Sequence, residues 1–132
     1  MAPLLVTSNC EGAGRTAFCA GLSRFLGRRQ RSTFLCKPLR VAASDAQRPD
    51  PDATFLASLT GMPQPEPWPL SINGAEAQRG LDPSTREGIA SSFGQIADKV
   101  EAVIIEGPPA TTAQGPALSA VADLAEALDA SV

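Results

Sequence analysis

The stretch of sequence that decides the fold is Ser8-Asn9-Cys10-Glu11-Gly12-Ala13-Gly14-Arg15-Thr16. It follows a short apolar run, Leu4-Leu5-Val6, and precedes a segment whose apolar residues recur at helical spacing. A buried strand, a glycine-rich turn and a helix N-terminus in this order are typical of the phosphate-binding P-loop. Arg15 stands where that motif has lysine, and Asn9 stands where it has its first glycine. The stretch therefore predicts a nucleotide site that departs from the motif at two positions.

The residues of this loop suit a phosphate group. Gly12 and Gly14 let the backbone turn its N–H groups inward, and the helix that begins near Thr16 adds its positive end. The Thr16 hydroxyl can coordinate Mg²⁺, whereas the planar guanidinium of Arg15 cannot act as the point charge that lysine supplies. The alternative is a strand-to-helix turn that binds nothing. The predicted nucleotide-binding residues are Glu11, Gly12, Ala13, Gly14, Arg15, Thr16 and Ala17.

Three more charged residues lie where predicted strands end or a helix begins. Glu106 follows the apolar run Val103-Ile104-Ile105, so it should emerge at the carboxyl edge of a parallel sheet, where ligands bind and a carboxylate can hold Mg²⁺. Lys37 also ends a strand and can bind a phosphate or a substrate carboxylate. Asp52 opens a helix and is either its cap or a metal ligand. An ordinary loop acid and a solvated lysine are the alternatives for Glu106 and Lys37.

Apolar runs alternate with helical periodicity along the chain, which predicts an α/β fold with a parallel sheet flanked by helices. The last residues, 130–132, resemble the beginning of a fourth strand. We therefore expect residues 1–132 to form a single domain that is incomplete at its C-terminus, or whose sheet edge a partner domain or a second copy covers. Strands are predicted at 4–7, 32–36 and 102–105, and helices at 16–27, 50–61, 82–100 and 117–128. In the last helix, the residues predicted to face inward are Leu118, Val121, Leu124 and Leu128. A polar loop is predicted at 41–51 and an extended proline-rich loop at 63–69.

The composition argues against several classes of function. The 132 residues carry a net charge of −3, which disfavours nonspecific nucleic-acid binding. The chain has no histidine, so any proton transfer must use Asp, Glu, Lys or Cys. Its three cysteines show no CxxC spacing and indicate reduced thiols in a cytoplasmic protein. Neither a signal peptide nor a transmembrane segment is visible, so we expect no membrane partner.

Four short blocks of the chain stand in an informative order: the loop ending Gly12-Ala13-Gly14-Arg15-Thr16, then Lys37-Pro38, Asp52-Ala53 and Glu106-Gly107. This order resembles dethiobiotin synthetase and its relatives, which include the N-terminal domains of long phosphate acetyltransferases and cobyrinic acid a,c-diamide synthase-type domains. The resemblance covers essentially the whole chain and implies a P-loop NTPase-like fold that binds ATP and Mg²⁺. It implies that Thr16, Asp52 and Glu106 surround the metal, and that Arg15 and Lys37 are the catalytic residues, with Lys37 facing a substrate carboxylate or carbamate.

The chain departs from the family pattern in its catalytic blocks. Arg15 replaces the P-loop lysine, Leu39-Arg40-Val41 lacks the small polar residue of the synthetase, and Pro108-Pro109 removes backbone N–H donors after Glu106-Gly107. We therefore expect an ATP- and Mg²⁺-binding regulatory or accessory module with impaired catalysis. One alternative is an active ligase of biotin biosynthesis, which uses ATP to close a carbamated diamine to a cyclic urea. The other is an interaction domain without a nucleotide.

Overall fold

The computed structural model describes residues 2–43 and 48–132. None of the helices in these two ranges combines the length and the apolar content needed to cross a membrane. The described residues form, in chain order, β1 Leu4–Val6, α1 Arg15–Arg28, β2 Thr33–Cys36, β3 Leu39–Val41, α2 Pro51–Thr60, β4 Leu70–Ile72, α3 Gly74–Arg79, α4 Pro83–Ala97, β5 Ala102–Glu106, β6 Thr111–Thr112, β7 Gly115–Pro116 and α5 Leu118–Ala127.

The central sheet has three parallel strands in the order β1, β5, β2. The middle strand, β5, pairs with both neighbours, so that Ile104 lies beside Leu4 on one side and beside Leu35 on the other. Ser131 forms one parallel bridge with Leu4 at the outer side of β1, where the Leu5 amide donates to its carbonyl at 2.7 Å. The predicted parallel sheet is confirmed, whereas at the expected start of a fourth strand the described residues form only this one bridge.

Helices cover both faces of the sheet, as the alternation of strands and helices predicts. Successive side chains of a strand point to opposite faces. Accordingly, Phe34 and Ile105 belong to one apolar cluster, and Leu35 and Ile104 belong to the other. The first cluster is completed mainly by residues of α3, α4 and α5, among them Ala77, Ile89, Phe93, Val121 and Leu124, and the second by Cys19 of α1 and Leu56 of α2.

A second, two-stranded sheet is absent from the sequence-based prediction. β3 begins directly after Pro38 and pairs in parallel with β4, which follows the proline-rich loop. Strands of three residues are too short to show a period, and here a buried Leu39 and the pairing itself stabilise them. The prediction of a polar loop at 41–51 is therefore wrong at Val41, and residues 44–47 of that loop lie outside the described residues.

Two helices begin where their capping signals predict. The Asp82 side chain accepts a hydrogen bond from the Thr85 amide at 2.8 Å at the start of α4. At the start of α2, Asp50 accepts from the Ala53 amide at 2.9 Å. The cap of α2 is therefore Asp50 and not Asp52, which leaves the Asp52 carboxylate available for other contacts.

Three large apolar residues of the helices are exposed, and one of them, Leu118, contradicts the predicted inward face of α5. Phe18, Phe25 and Leu118 are 58%, 51% and 63% exposed. Each is one position from the buried stripe of its helix, a rotation of about 100°, because helical spacing alone does not say which side faces the sheet. The predicted end of α1 at Gly27 is also one residue early, since the helix continues to Arg28.

Candidate functional site

The loop between β1 and α1 has the backbone geometry that an anion-binding turn needs. Gly12 and Gly14 have φ angles of 72° and 87°, in the left-handed region that favours glycine. Gly14 is the N-cap of α1, and no side chain caps this helix. Within the described residues, the first amide after Thr7 that donates to a protein oxygen is that of Phe18, to Gly14 at 2.9 Å. Since the amides of residues 8–17 have no acceptor in the part of the chain that the structure describes, they can donate to a ligand.

Arg15 lies across this loop. Its Nη1 donates to Ser8 Oγ at 2.8 Å and to the Cys10 carbonyl at 3.3 Å. Its Nε is buried and has no hydrogen-bond partner among the described residues. The guanidinium thus links the two ends of the turn, and one of its N–H groups still lacks an acceptor.

Thr16 and Glu106, which are 90 residues apart in the sequence, are in direct contact. Glu106 is the last residue of β5 and is 1% exposed. The Thr16 hydroxyl donates to its carboxylate, with Oγ1 at 2.8 Å from Oε1 and 3.0 Å from Oε2. Burial raises the pKa of Glu106 above its usual value, while the hydrogen bond from Thr16 and the charge of Lys37 act in the opposite direction.

Lys37 follows β2 and is almost completely buried between two carboxylates. Its Nζ lies 3.0 Å from Asp50 Oδ2 and 3.3 Å from Asp52 Oδ2. Asp50 is buried as well, whereas the Asp52 side chain is about half exposed. The sequence predicts Lys37 and Asp52 as site residues but not Asp50, whose role as a helix cap fully explains the Asp-Pro signal.

Gln64 fixes the backbone from which Lys37 projects. Its Oε1 accepts from the Lys37 amide at 2.9 Å, and its Nε2 donates to the Leu35 carbonyl at 2.8 Å. The side-chain amide therefore pairs with β2 as a neighbouring strand would. Nothing in the proline-rich segment around Gln64 signals this contact in the sequence.

The loop after Glu106 packs against the end of β1. A Cβ atom at Gly107 would lie 2.8 Å from Leu5 Cδ1, so this position needs glycine or a shift of Leu5. Thr7 Oγ1 donates to the Pro108 carbonyl at 2.8 Å, and the Ala110 amide donates to the Ser8 carbonyl at 2.7 Å. The Pro108-Pro109 segment is thereby held next to the glycine-rich loop, to which it contributes no N–H donor.

The predicted site residues meet at the carboxyl edge of the central sheet. Direct contacts join Thr16 to Glu106 and Lys37 to Asp52, and the charges of Lys37 and Arg15 lower the pKa of Glu106 while that of Asp52 raises it. A cavity of about 130 Å³ lies there, between Glu11 and Arg15 of the loop and Lys37. A larger cavity of about 870 Å³ between α1 and α2 contains none of the predicted site residues, so its size does not identify the site.

The residues at this edge fit a magnesium ion that is held together with phosphates. Among the residues that the structure describes, no three His, Cys, Asp or Glu side chains form a metal site by themselves. Mg²⁺ commonly takes only one or two carboxylates and fills its remaining positions with water and phosphate oxygens. Thr16 and Glu106 in contact, with Asp52 nearby across Lys37, meet that smaller requirement.

Comparison with known proteins assigns no family, since no protein-family model and no curated protein matches the chain.

Proposed function

We propose that this chain is an ATP- and Mg²⁺-binding domain of the dethiobiotin synthetase-like P-loop class, and that it serves as a regulatory or accessory module with impaired catalysis. The observation that carries the proposal is the contact between Thr16 and Glu106, at 2.8 Å, beside a turn whose amides are free. A hydroxyl at the second position of a helix and a carboxylate at the end of an adjacent parallel strand suit a metal–phosphate complex. Their adjacency also supports a P-loop NTPase-like fold.

In this proposal the loop residues 11–17 bind the phosphates through their backbone N–H groups. Thr16, Glu106 and Asp52 hold Mg²⁺, which neutralises phosphate charge. Lys37 lies beside them as the cation that contacts a second substrate, because Asp50 and Gln64 fix its side chain and its backbone. The same preorganisation favours the active ligase as the second candidate function, since a catalytic lysine requires a fixed position.

Two features of the site support impaired catalysis. The Arg15 guanidinium is occupied with Ser8 and Cys10 of its own loop, so a nucleotide must displace or accommodate it. The Pro108-Pro109 segment adjoins the loop without donors that could stabilise a developing negative charge. The groups that this chain lacks, the P-loop lysine and the backbone N–H donors after Glu106-Gly107, therefore matter more for phosphoryl transfer than for nucleotide binding.

The experiment is a calorimetric titration of the chain with ATP, with and without Mg²⁺. We expect the wild type to bind, and Thr16→Ala to lose roughly tenfold in affinity when Mg²⁺ is present but less in its absence, because the lost hydroxyl is a metal ligand. Ser91→Ala, which removes an exposed hydroxyl-bearing residue on α4, is the matched control and should leave both affinities unchanged.

The outcomes separate the three candidate functions. Equal losses with and without Mg²⁺ would remove Thr16 from the metal site. If the wild type binds no ATP under either condition, the proposal is wrong and the interaction domain remains. Formation of a cyclic urea from diaminopelargonate, CO₂ and ATP would contradict the impaired catalysis and favour the active ligase.

A further inference from the structure

The cavity of about 870 Å³ between α1 and α2 is an open groove that lies at the opposite edge of the central sheet from the glycine-rich loop. It is lined by the C-terminal halves of both helices and by Thr33, the first residue of β2. At the usual rise of a helix, α1 places Arg28 roughly 20 Å from the loop that precedes it. The proposed ATP site therefore does not explain this groove.

One wall of the groove is apolar. Phe55 and Leu59 lie one turn apart on α2, both line the groove, and they are 46% and 47% exposed. The apolar cluster beneath them is small, and its buried members are Cys19, Leu35, Leu56 and Ile104. An apolar group that packs against Phe55 and Leu59 would extend this side of the core and remove the two side chains from water.

The other wall of the groove is positively charged. Among the described residues, the charged side chains that line it are Arg24, Arg28 and Arg31, although the whole chain has a net charge of −3. The helix dipole favours a cation in the last turn, which explains Arg28, but Arg24 lies one turn earlier and like charges at this spacing repel each other. Arg31 contacts Glu101 at 3.1 Å, which shows that a carboxylate can be accommodated at this end of α1. The wall is therefore complementary to an acidic partner.

The floor between the two walls is formed by residues of α1 that leave its backbone accessible. Gly21 and Gly27 line the groove, and a Cβ atom at either position would meet no atom within 4 Å. An occupant can therefore approach the helix closely. The lining residues of α1, from Ala20 to Arg28, extend over roughly 12 Å, which is about the length of two helical turns.

We propose that this groove docks an acidic amphipathic helix of a partner protein. The apolar stripe of that helix packs on Phe55 and Leu59, and the carboxylates beside the stripe face Arg24 and Arg28. Helices whose apolar residues recur at i, i+3, i+4 and i+7 bind grooves in this way. A groove that is open along its length suits such a helix better than a small ligand, which a binding pocket encloses on most sides. The inference goes beyond the proposed function and does not depend on it, because none of the predicted nucleotide-binding residues lines this surface.

The test is fluorescence anisotropy with a labelled synthetic peptide of about 18 residues, long enough to form a helix in water. Leu occupies its i, i+3, i+4 and i+7 positions, and Glu and Ala fill the others. We expect the wild type to bind it with a Kd of roughly 10–100 μM, and the double variant Arg24→Glu with Arg28→Glu to bind at least about tenfold more weakly. Leu59→Gln should cause a similar loss, because it removes the apolar contact.

Two protein variants and two peptides serve as controls. Arg79→Glu reverses an exposed charge at the end of α3 and should leave the affinity unchanged, which separates docking from general attraction between the peptide and the chain. Arg24→Lys with Arg28→Lys keeps both charges and should retain most of the binding. A peptide with Lys in place of Glu, and one of the same composition without the apolar stripe, should not bind.

The inference is overturned if the wild type does not bind the acidic peptide, if the charge-reversed variant binds it equally, or if either control peptide binds as well. Sedimentation of the chain alone tests the other occupant, a second copy. Self-association that Leu59→Gln abolishes would mean that the groove is a contact between copies, and it would also refute the proposal. Because ATP is titrated separately, loss of peptide binding in a chain that still binds ATP contradicts only this inference, and peptide binding without ATP binding contradicts only the proposed function.

Discussion

The Glu106 carboxylate lies in a nearly closed environment, which determines how the site responds to pH. Burial is the largest influence on this group and raises its pKa, while the hydrogen bond from Thr16 and the charge of Lys37 oppose the shift. The folded chain therefore holds the Glu106 proton more tightly than the unfolded chain does. A bound divalent cation would favour the ionised form and reverse this preference.

The consequence can be measured with Glu106→Gln. Because the folded pKa is raised, the stability that Glu106 contributes is fully present below its ordinary pKa of 4.5 and is lost as the pH rises through the raised value. The Gln variant keeps an acceptor for Thr16 and does not titrate. We measure the free energy of unfolding by urea denaturation. We expect the value for Glu106→Gln to rise relative to that of the wild type as the pH increases from acidic to neutral.

A matched control is needed because other carboxyls titrate in the opposite sense. Hydrogen bonds from Thr85 and from Ser32 lower the pKa values of Asp82 and Glu101, so both add stability as the pH rises through the acidic range. Glu87→Gln removes an exposed carboxylate of α4, and its free energy of unfolding should change with pH in parallel with that of the wild type. If Glu106→Gln also runs parallel, the carboxylate is not desolvated in the folded chain.

The residues that the sequence predicts for this site are those whose type and strand position both point to it. Glu106 and Lys37 end apolar runs, and Thr16 follows the glycine-rich turn. Asp50 and Gln64 are not predictable in the same way. Asp50 is explained by capping alone, and the contact of Gln64 with β2 depends on where a proline-rich segment passes in space.

At the scale of elements, β2 shows how the fold treats an exposed sheet edge. It is the outer strand of the central sheet, and unpaired edges invite association with other chains. Gln64 occupies two backbone groups of that edge, at Leu35 and Lys37. One side chain thus protects the strand and positions the lysine that follows it.

Gln64→Ala tests this double role. The change leaves the Leu35 carbonyl and the Lys37 amide without partners, so we expect a loss of about 1–3 kcal/mol in the free energy of unfolding. Gln95→Ala removes an exposed glutamine of α4, where alanine suits the helix, and should be neutral or stabilising. The measurement is urea denaturation of both variants, and equal stability of Gln64→Ala and the wild type would show that water replaces the side-chain amide.

Helices and strands differ in how far the sequence predicts them. Asp50-Pro51 and Asp82-Pro83 mark the starts of α2 and α4 correctly, because an N-cap and a proline act locally. β3 and β4 carry no such signal. Their three residues are extended because they pair with each other across the intervening helix and loop.

At the scale of the whole molecule, the sheet separates two apolar layers that each contain one buried cysteine. Cys19 packs with Leu35 and Ile104 on the side of α1, and Cys36 packs with Phe34 and Ile105 on the other side. The alternation of strand residues predicts this division from the sequence. The side of each helix that faces a layer is decided by packing, which is why Leu118 is exposed against expectation.

The two buried thiols report whether the layers unfold as one domain. Burial raises the pKa of Cys19 to about 12 and raises that of Cys36 further, so the reactive thiolates are suppressed, whereas Cys10 is exposed. We expect iodoacetamide to label Cys10 in the folded chain, and to label the other two only in urea, at one common midpoint that matches the loss of circular dichroism. Arg15, Arg24 and Arg31 place the three cysteines in separate tryptic peptides, so mass spectrometry resolves them. Labelling of Cys19 at a lower urea concentration than Cys36 would show that α1 and α2 leave the sheet first, and would contradict a single cooperative domain.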